Sequence, residues 1–165
     1  MRLPPGLRAV ALVWAGAILV AGAVYAIVYA RVGDTFYVGV DLSNPSIVAE
    51  GGFAYRKSLS VQARLPVRVE VHAALLQPPG SNLTVTVTVD GRHAATLGPG
   101  GSYTATLGNG DTVTVEWELR SASGGARVLL GEVRVEPAPR GLALAAAMIA
   151  VPAALAAVVV RGGGL

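Results

Sequence analysis

Apolar and polar residues alternate along several stretches in the middle of the chain. From 65 to 73 the odd positions carry leucine, valine or alanine, and the even positions carry proline, arginine, glutamate and histidine. The same two-residue period holds from 83 to 89, where leucine and valine alternate with threonine, and from 113 to 119. Such alternation, rich in β-branched residues, is typical of antiparallel strands that bury one face. These three stretches are therefore predicted to be half-buried strands.

Turn signals separate these stretches from five further strand candidates. Asp90-Gly91 is a two-residue hairpin signal, and the Gly-Asn-Gly-Asp segment at 108–111 marks another turn. The additional candidates lie at 35–42, within 53–63, and at 93–97, 102–107 and 126–136. We therefore predict that residues 31–139 form an all-β domain, an antiparallel β-sandwich of about eight strands. A jelly roll is one arrangement of the strands that fits this prediction.

The last strand candidate changes the parity of its apolar positions. Val128 and Leu130 share one face, whereas Val133 and Val135 have the opposite parity. One extra residue in the strand restores a common inward face, and glycine often marks such a position. We predict a β-bulge at Gly131.

Two long apolar runs enclose the predicted sandwich. Residues 9–30 contain no charged side chain between Arg8 and Arg31, and as a helix they would be about 33 Å long, enough to cross the core of a bilayer. A second uncharged run lies between Arg140 and Arg161, is rich in alanine and contains Pro152. We predict transmembrane helices at 9–30 and 140–160.

Two other interpretations of the first run stay open. A basic start and an apolar run that ends in Val28-Tyr29-Ala30 also suit a cleavable signal peptide, although the run exceeds the usual apolar length of about 7–15 residues. A short basic leader that ends in Arg8-Ala9 resembles the prepilin-type leader of archaeal pilins, which implies a filament subunit. The second apolar run departs from that family, whose chains normally end in the head domain.

The arginines predict how the two helices are oriented. Arg2 and Arg8 precede the first run, and only Arg31 lies within the next 20 residues beyond it. Because cationic flanks favour the cytoplasm, residues 1–8 and the tail 161–165 are predicted to be cytoplasmic and the sandwich external to the cell membrane. Short linkers then hold both ends of the sandwich near the bilayer, and an even number of strands brings these ends together.

Composition and charge exclude several functions. The chain has no cysteine, which excludes a disulfide-stapled module, a thiolate metal site and a cysteine nucleophile. Only 14% of its residues are charged. The net charge of +3 does not indicate nucleic-acid binding, because residues 31–139 carry nine basic and ten acidic side chains. The excess arginines flank the apolar runs.

Candidate catalytic residues are few. A β domain between two terminal spans resembles the layout of archaeal and eukaryotic signal peptidases, which implies a membrane-bound hydrolase that uses a serine with Lys57 or His72. The chain departs from the family's Ser-Met-x-Pro pattern, since it has Leu42-Ser43-Asn44-Pro45-Ser46 after the first span and no methionine there. Lys57, the single lysine, and the adjacent Ser58 follow no such motif, so we predict no catalytic residue.

The histidines and glycine-rich segments carry no metal or phosphate signal. His72 and His93 are the only histidines, and with Glu70 or Asp90 they lack the third ligand and the spacing of a zinc site. The glycines at 98–101 and 124–125 do not open a helix after a strand, so they are predicted to be ordinary loops. We expect no metal and no cofactor.

Small residues recur at close to helical spacing in both apolar runs, and such spacing lets membrane helices approach each other closely. They are Ala11, Ala15, Gly22 and Ala26 in the first run and Ala143, Ala147, Ala150 and Ala154 in the second. These faces are predicted to pack the two helices together or against a partner, although an alanine-rich composition produces such spacings by itself. The usable glycosylation sequon, Asn82-Leu83-Thr84, makes Asn82 a candidate acceptor in an external domain.

These observations predict a non-enzymatic, membrane-anchored β-sandwich that acts by interaction. Two roles fit, a structural component of the cell envelope or an accessory subunit of a larger membrane complex. The expected partners are the lipid bilayer and other membrane or envelope proteins, reached through the β domain or the small-residue helix faces, and not nucleic acid.

Overall fold

The structure is a computed structural model that describes residues 4–41, 53–76, 80–121 and 127–161. The chain divides into two compact units. One contains the two ends of the chain, Met1–Val32 and Pro137–Leu165, and the other is the intervening segment Gly33–Glu136.

The intervening segment is built from strands alone in its described part. Eight strands lie between a first and a last helix, as the alternation predicts. They are β1 (Asp34–Asp41), β2 (Phe53–Gln62), β3 (Val67–Ala73), β4 (Asn82–Val89), β5 (Arg92–Leu97), β6 (Ser102–Leu107), β7 (Thr112–Ser121) and β8 (Arg127–Pro137). The two helices are α1 (Pro5–Ala30) and α2 (Pro139–Arg161).

The strands form two four-stranded sheets. Sheet A has the order β1-β8-β3-β6 and sheet B the order β2-β7-β4-β5. Strand 1 thus pairs with 8, 2 with 7, 3 with 6 and 4 with 5, and each of these pairs is antiparallel. A jelly roll is a long antiparallel ribbon folded over in this nested manner. The prediction of an eight-stranded, mostly antiparallel sandwich is confirmed.

The core of the sandwich consists of the alternating apolar residues of both sheets. In β3 every valine is buried while Arg68 between them is exposed, as expected for a strand with one wet face. Trp117 of β7 is the largest fully buried side chain of this unit. Leucines and further valines complete the core: Leu83, Leu107, Leu119, Leu130, Val85, Val87, Val113, Val115 and Val133.

The predicted bulge in β8 is present. The register with β1 passes from Val38 opposite Gly131 to Gly39 opposite Leu129, which leaves Leu130 without an opposite residue. Both Leu130 and Val133 are fully buried despite their opposite parity. The extra residue therefore keeps the inward face apolar on both sides of the bulge.

Two turns have the backbone that their residues predict. Asp90 and Gly91 both have positive φ, 49° and 75°, as a type I′ hairpin turn requires. The amide of Gly108 donates to Oδ2 of Asp111 at 2.7 Å and closes the turn before β7. Asp34, the first residue of β1, lies opposite Val135 near the end of β8, so the two ends of the sandwich are neighbours, as the even strand number predicts.

Candidate functional site

The two helices pack directly against each other. At Gly22 the backbones approach so closely that an added Cβ would lie 2.9 Å from Cβ of Met148 and 3.0 Å from its carbonyl. Ala15 on α1 and Ala145 and Pro152 on α2 are also buried. Small residues at the contact are the means by which membrane helices associate closely.

A tyrosine joins the two helices near the end of α1. The Tyr29 hydroxyl donates a hydrogen bond to the carbonyl oxygen of Ala138 at 2.9 Å, and the tyrosine is fully buried. A Cβ at residue 141 would overlap the Tyr29 ring, so only glycine fits there. Tyr25 stacks on Tyr29 with ring centroids 5.5 Å apart. The sequence pattern gave no signal for this contact, since a tyrosine at that position also suits a lipid interface.

The predicted small-residue faces differ in how the structure uses them. On α1, Ala15 and Gly22 are buried and Ala11 and Ala26 are half-buried. The α2 residues of the prediction, Ala143, Ala147, Ala150 and Ala154, are instead exposed. The buried positions of α2 are Gly141, Ala145 and Pro152. The Tyr29 contact explains the difference, because it requires Ala138 and Gly141 to face α1 and thereby sets the rotation of α2.

An apolar groove runs along one side of the helix pair. Trp14 and Ile18 of α1 and Met148, Val151 and Leu155 of α2 line it, and Ala147 is the one predicted alanine of α2 that borders it. Trp14 is 66% exposed. The outer surface of both helices is equally apolar: the candidate spans Gly6–Ala30 and Pro139–Arg161 have mean hydropathies of 2.3 and 2.5 and are 11% buried.

The outer face of sheet B carries hydroxyls and a charge cluster. Ser60 Oγ and Thr114 Oγ1 are 3.2 Å apart across β2 and β7. Next to them Arg56 lies 3.4 Å from both Glu116 and Glu118, and the guanidinium of Arg120 lies 2.8 Å from Glu118. The hydrogen bond and the charge of Arg120 lower the pKa of the Glu118 carboxyl, and Arg56 lowers it further.

The outer face of sheet A also carries paired charges. Arg68 lies 2.5 Å from Glu70, whose other oxygen is 3.8 Å from Nε2 of His72. On β8, Arg134 lies 3.7 Å from Glu132. These charged residues alternate along β3 and β8 with buried valines. Their side chains therefore lie on the outer surface of sheet A.

The candidate catalytic residues do not meet in the described structure. Lys57 lies opposite Trp117 and Ser58 opposite Glu116, and successive strand residues point to opposite faces. His93 is exposed, with Nε2 3.4 Å from Oγ1 of Thr96 on the same strand. Among the described residues no three histidine or carboxylate side chains form a metal-sized group. Ser43–Ser46 and the glycines at 124–125 lie outside the described residues.

Asn82 is exposed at the first position of β4, opposite Arg120 of β7. Its side chain is therefore accessible in the folded domain.

The four edge strands of the sandwich differ in charge. In sheet B, the edge β2 carries Arg56 and Lys57, and the edge β5 begins with Arg92 and His93. In sheet A, the edge β6 has no charged residue, and β1 has aspartates only at its two ends. On β1, Phe36 is 37% and Tyr37 67% exposed.

No protein-family model matches the chain, and no curated protein sequence matches it. Solved structures similar to part of it include a family 35 carbohydrate binding module from Clostridium thermocellum, 12% identical with a TM-score of 0.36, which covers 64% of this chain and 92% of that chain. The CBM36-1 domain of a multidomain xylanase from the hindgut metagenome of Trinervitermes trinervoides is 16% identical, with a TM-score of 0.33 and coverage of 64% and 98%.

A third similar structure is the Podospora anserina GH26-CBM35 β-(1,4)-mannanase, 11% identical with a TM-score of 0.33, which covers 65% of this chain and 28% of that chain. At these identities and TM-scores the likeness identifies neither a family nor a ligand.

Proposed function

We propose that the chain is a two-span membrane protein whose external β-sandwich acts by interaction, as a structural component of the cell envelope or an accessory subunit of a larger membrane complex. Lipid covers the helix pair, and other membrane or envelope proteins are the partners. The enzyme alternative, a hydrolase that uses Lys57 or His72, has no comparable support from the positions of these residues.

The observation that carries the proposal is the uncovered apolar surface of the helix pair. A core helix of a water-soluble protein buries its apolar residues, whereas α1 and α2 are only 11% buried over their most apolar windows. Leaving so many large side chains in water is unfavourable by about 25 cal/mol per Å². A bilayer removes that cost, and both helices are long enough to cross one.

The contacts between the helices support a first span that stays in the mature protein. Removal of α1 as a signal peptide would expose Gly141 and the Ala138 carbonyl that accepts the hydrogen bond from Tyr29. A pilin-type cleavage after Arg8 would leave these contacts intact, but the second span would remain an addition to the pilin plan. The exposed alanines of α2, Ala143, Ala147, Ala150 and Ala154, are available to a partner helix.

The charge distribution supports cytoplasmic ends and an external sandwich. Arg2, Arg8 and Arg161 lie on the predicted inner side, and Arg31 and Arg140 on the outer side. In this orientation Asn82, which is exposed on β4, is on the side where glycosylation occurs.

Gentle extraction of the protein from native membranes, followed by identification of what co-migrates, tests the interaction role. We expect the protein to resist alkaline carbonate extraction and to migrate in a species larger than the monomer. Intact-mass measurement should find residues 9–30 still attached. A carbonate-resistant protein that migrates only as a monomer would contradict the interaction role, and a protein released by carbonate would contradict the anchoring itself.

A further inference from the structure

The turn between β6 and β7 contains an exposed asparagine followed by a glycine. Asn109 and Gly110 are both exposed, and Gly110 has a φ of 94°, in the left-handed region that glycine adopts readily. Asparagine is one of the thermally labile residues of proteins, because the amide nitrogen of the next residue can attack its side chain. A glycine in that next position places no Cβ in the way, so the sequence of this turn favours the reaction.

The other two asparagines of the chain have less reactive neighbours. Asn44 precedes Pro45, which has no backbone N–H, and Asn82 precedes Leu83, whose branched side chain hinders the approach. Asn109 is therefore the asparagine at which this chain is expected to react first.

The folded turn holds the nitrogen that has to react. The amide of Gly110 donates a hydrogen bond to the carbonyl oxygen of Ala63 at 2.8 Å, a length typical of such bonds. Ala63 lies in the connection from β2 to β3 and is 3% exposed. The attack requires that the nitrogen first lose its proton, because the lone pair of an intact amide is delocalised into its carbonyl group. While that proton is bound to the carbonyl oxygen of a buried residue, a base cannot remove it.

Two further hydrogen bonds fix the turn in this position. The amide of Ala63 donates to the carbonyl oxygen of Asp111 at 2.9 Å, so the turn and the β2–β3 connection are joined in both directions. The amide of Gly108 donates to Oδ2 of Asp111 at 2.7 Å. Release of the Gly110 amide therefore requires a local opening of the turn, which costs free energy even while the rest of the sandwich stays folded.

We infer that Asn109 is a site of spontaneous deamidation and that the hydrogen bond between Gly110 and Ala63 controls its rate. The folded turn suppresses the reaction, and local opening of the turn or unfolding of the sandwich permits it. Modification of Asn109 thus records how long the turn of a given molecule has been open.

The reaction needs only water and a base. The deprotonated nitrogen of Gly110 forms a bond to Cγ of Asn109, the bond from Cγ to the side-chain nitrogen breaks, and that nitrogen takes up a proton and leaves as ammonia. The ring that results is a succinimide. Water then breaks one of the two bonds between the ring nitrogen and a carbonyl carbon. Cleavage at Cγ gives aspartate, and cleavage at the main-chain carbonyl carbon gives isoaspartate, so that one water is consumed and one carboxyl group is gained.

Isoaspartate at position 109 changes the turn itself. Its main chain is one carbon longer than that of asparagine, and it lies between Gly108 and Gly110, whose amides bind Asp111 and Ala63. The added carbon shifts these two donors relative to each other, so the modified turn closes less well. A molecule that has opened and reacted is therefore expected to open more readily again.

Incubation of the full chain in detergent at mildly alkaline pH tests the inference, with one sample folded and one unfolded in guanidinium chloride. Proteolytic digestion and mass spectrometry follow the conversion of each asparagine, and Asn44 and Asn82 are the internal controls. We expect Asn109 to convert at least about ten-fold more slowly in the folded sample, because opening of the turn has to precede the attack. The two controls should lag behind Asn109 in the unfolded sample. An equal or faster conversion of Asn109 in the folded sample, or none in the unfolded chain, would overturn the inference.

Asp111→Ala isolates the effect of the turn, since it removes the carboxylate that binds the Gly108 amide and leaves Asn109 and Gly110 in place. In a folded variant with the circular dichroism of the parent, the rate of conversion should rise several-fold, and in guanidinium chloride it should equal that of the parent. The matched control is Asp41→Ala, which removes a carboxylate 3.0 Å from Arg127 and should change neither rate.

Hydrogen exchange of the Gly110 amide in the folded parent gives a second measurement that does not depend on how Asp111→Ala folds. The amide should be protected from exchange, and low concentrations of denaturant that speed its exchange should speed deamidation of Asn109 in proportion. Exchange at the rate of the unfolded chain, or a folded Asp111→Ala variant that reacts no faster than the parent, overturns the control by the bond to Ala63.

Discussion

Gly131 is closely surrounded by β3 of its own sheet and by Trp117 of the other sheet. A Cβ added there would overlap the carbonyl oxygen of His72 and lie 3.0 Å from Nε1 of Trp117. The indole N–H of Trp117 is fully buried and has no hydrogen-bond partner among the described residues. The bulge thus places Gly131 against Trp117, the largest buried side chain of the sandwich. This packing requires that residue 131 has no side chain.

Gly131→Ala should destabilise the sandwich by about 1–3 kcal/mol, the usual cost of overpacking a core. Thermal unfolding of the full chain in detergent, followed by the circular dichroism of its β-sheet, measures the change. Gly98→Ala is the control, since nothing lies within 4 Å of its added Cβ, and it should stay within about 0.5 kcal/mol of the parent. Equal stability of the two variants would contradict the close approach at Gly131.

Glu118 lies on the outer face of sheet B beside two arginines, Arg56 and Arg120. Its pKa is lowered, first by the hydrogen bond and charge of Arg120 and then by Arg56. A lowered folded-state pKa means that the ionised carboxylate favours folding, so this contribution is present above the unfolded-state pKa and is lost as the pH falls through the folded-state pKa.

Replacing Arg120 should therefore raise the pKa of Glu118. In an NMR titration of the Glu118 carboxyl we expect Arg120→Gln to move the midpoint toward the ordinary glutamate value, and Arg56→Gln to move it less. Arg127→Gln, which removes a 3.0 Å pair with Asp41 on the other sheet, should leave it unchanged. A larger effect from Arg56 than from Arg120 would reverse the assigned causes.

The strands are the elements that the sequence predicts best. β4 and β7 each have one buried face, so the alternation from 83 to 89 and from 113 to 119 directly encodes which side chains enter the core. The parity change around Gly131 located the bulge for the same reason. The clash that requires glycine at that position has no sequence signal, because it involves His72 on a strand distant in the chain.

The face of α2 that packs against α1 cannot be predicted from the pattern of its residues. The alanines of α2 are distributed over its whole circumference, so several faces of the helix have small residues at helical spacing. The face that packs is selected by Tyr29, Ala138 and Gly141, of which the tyrosine lies on the other helix. A contact between residues so far apart in the chain cannot be found from the periodicity of one helix.

Gly22→Leu should separate the two helices, because even a Cβ at that position meets the backbone of Met148. Cysteines introduced at Ala26 and Ala145, on the packed faces, report the separation through their rate of disulfide formation in the membrane. We expect this rate to fall several-fold. Gly16→Leu is the control, since nothing lies within 4 Å of its added Cβ, and an equal loss in both variants would contradict the packing at Gly22.

At the scale of the whole molecule, the distribution of charged and apolar residues separates the chain into the same two units as its internal contacts. The intervening segment has nearly equal numbers of acidic and basic residues, and the apolar excess lies in two helices that remain uncovered. The even number of strands places Asp34 beside Val135, so one end of the sandwich connects to both helices through the chain.

Labelling of single cysteines with a membrane-impermeant maleimide in intact cells tests the central claim, a sandwich held outside the membrane by two spans. Thr96→Cys, exposed on β5, should react in intact cells. Gly6→Cys, which precedes the apolar run at 9–30, should react only after the membrane is permeabilised. Labelling of Gly6→Cys in intact cells, or protection of Thr96→Cys until permeabilisation, would contradict the account.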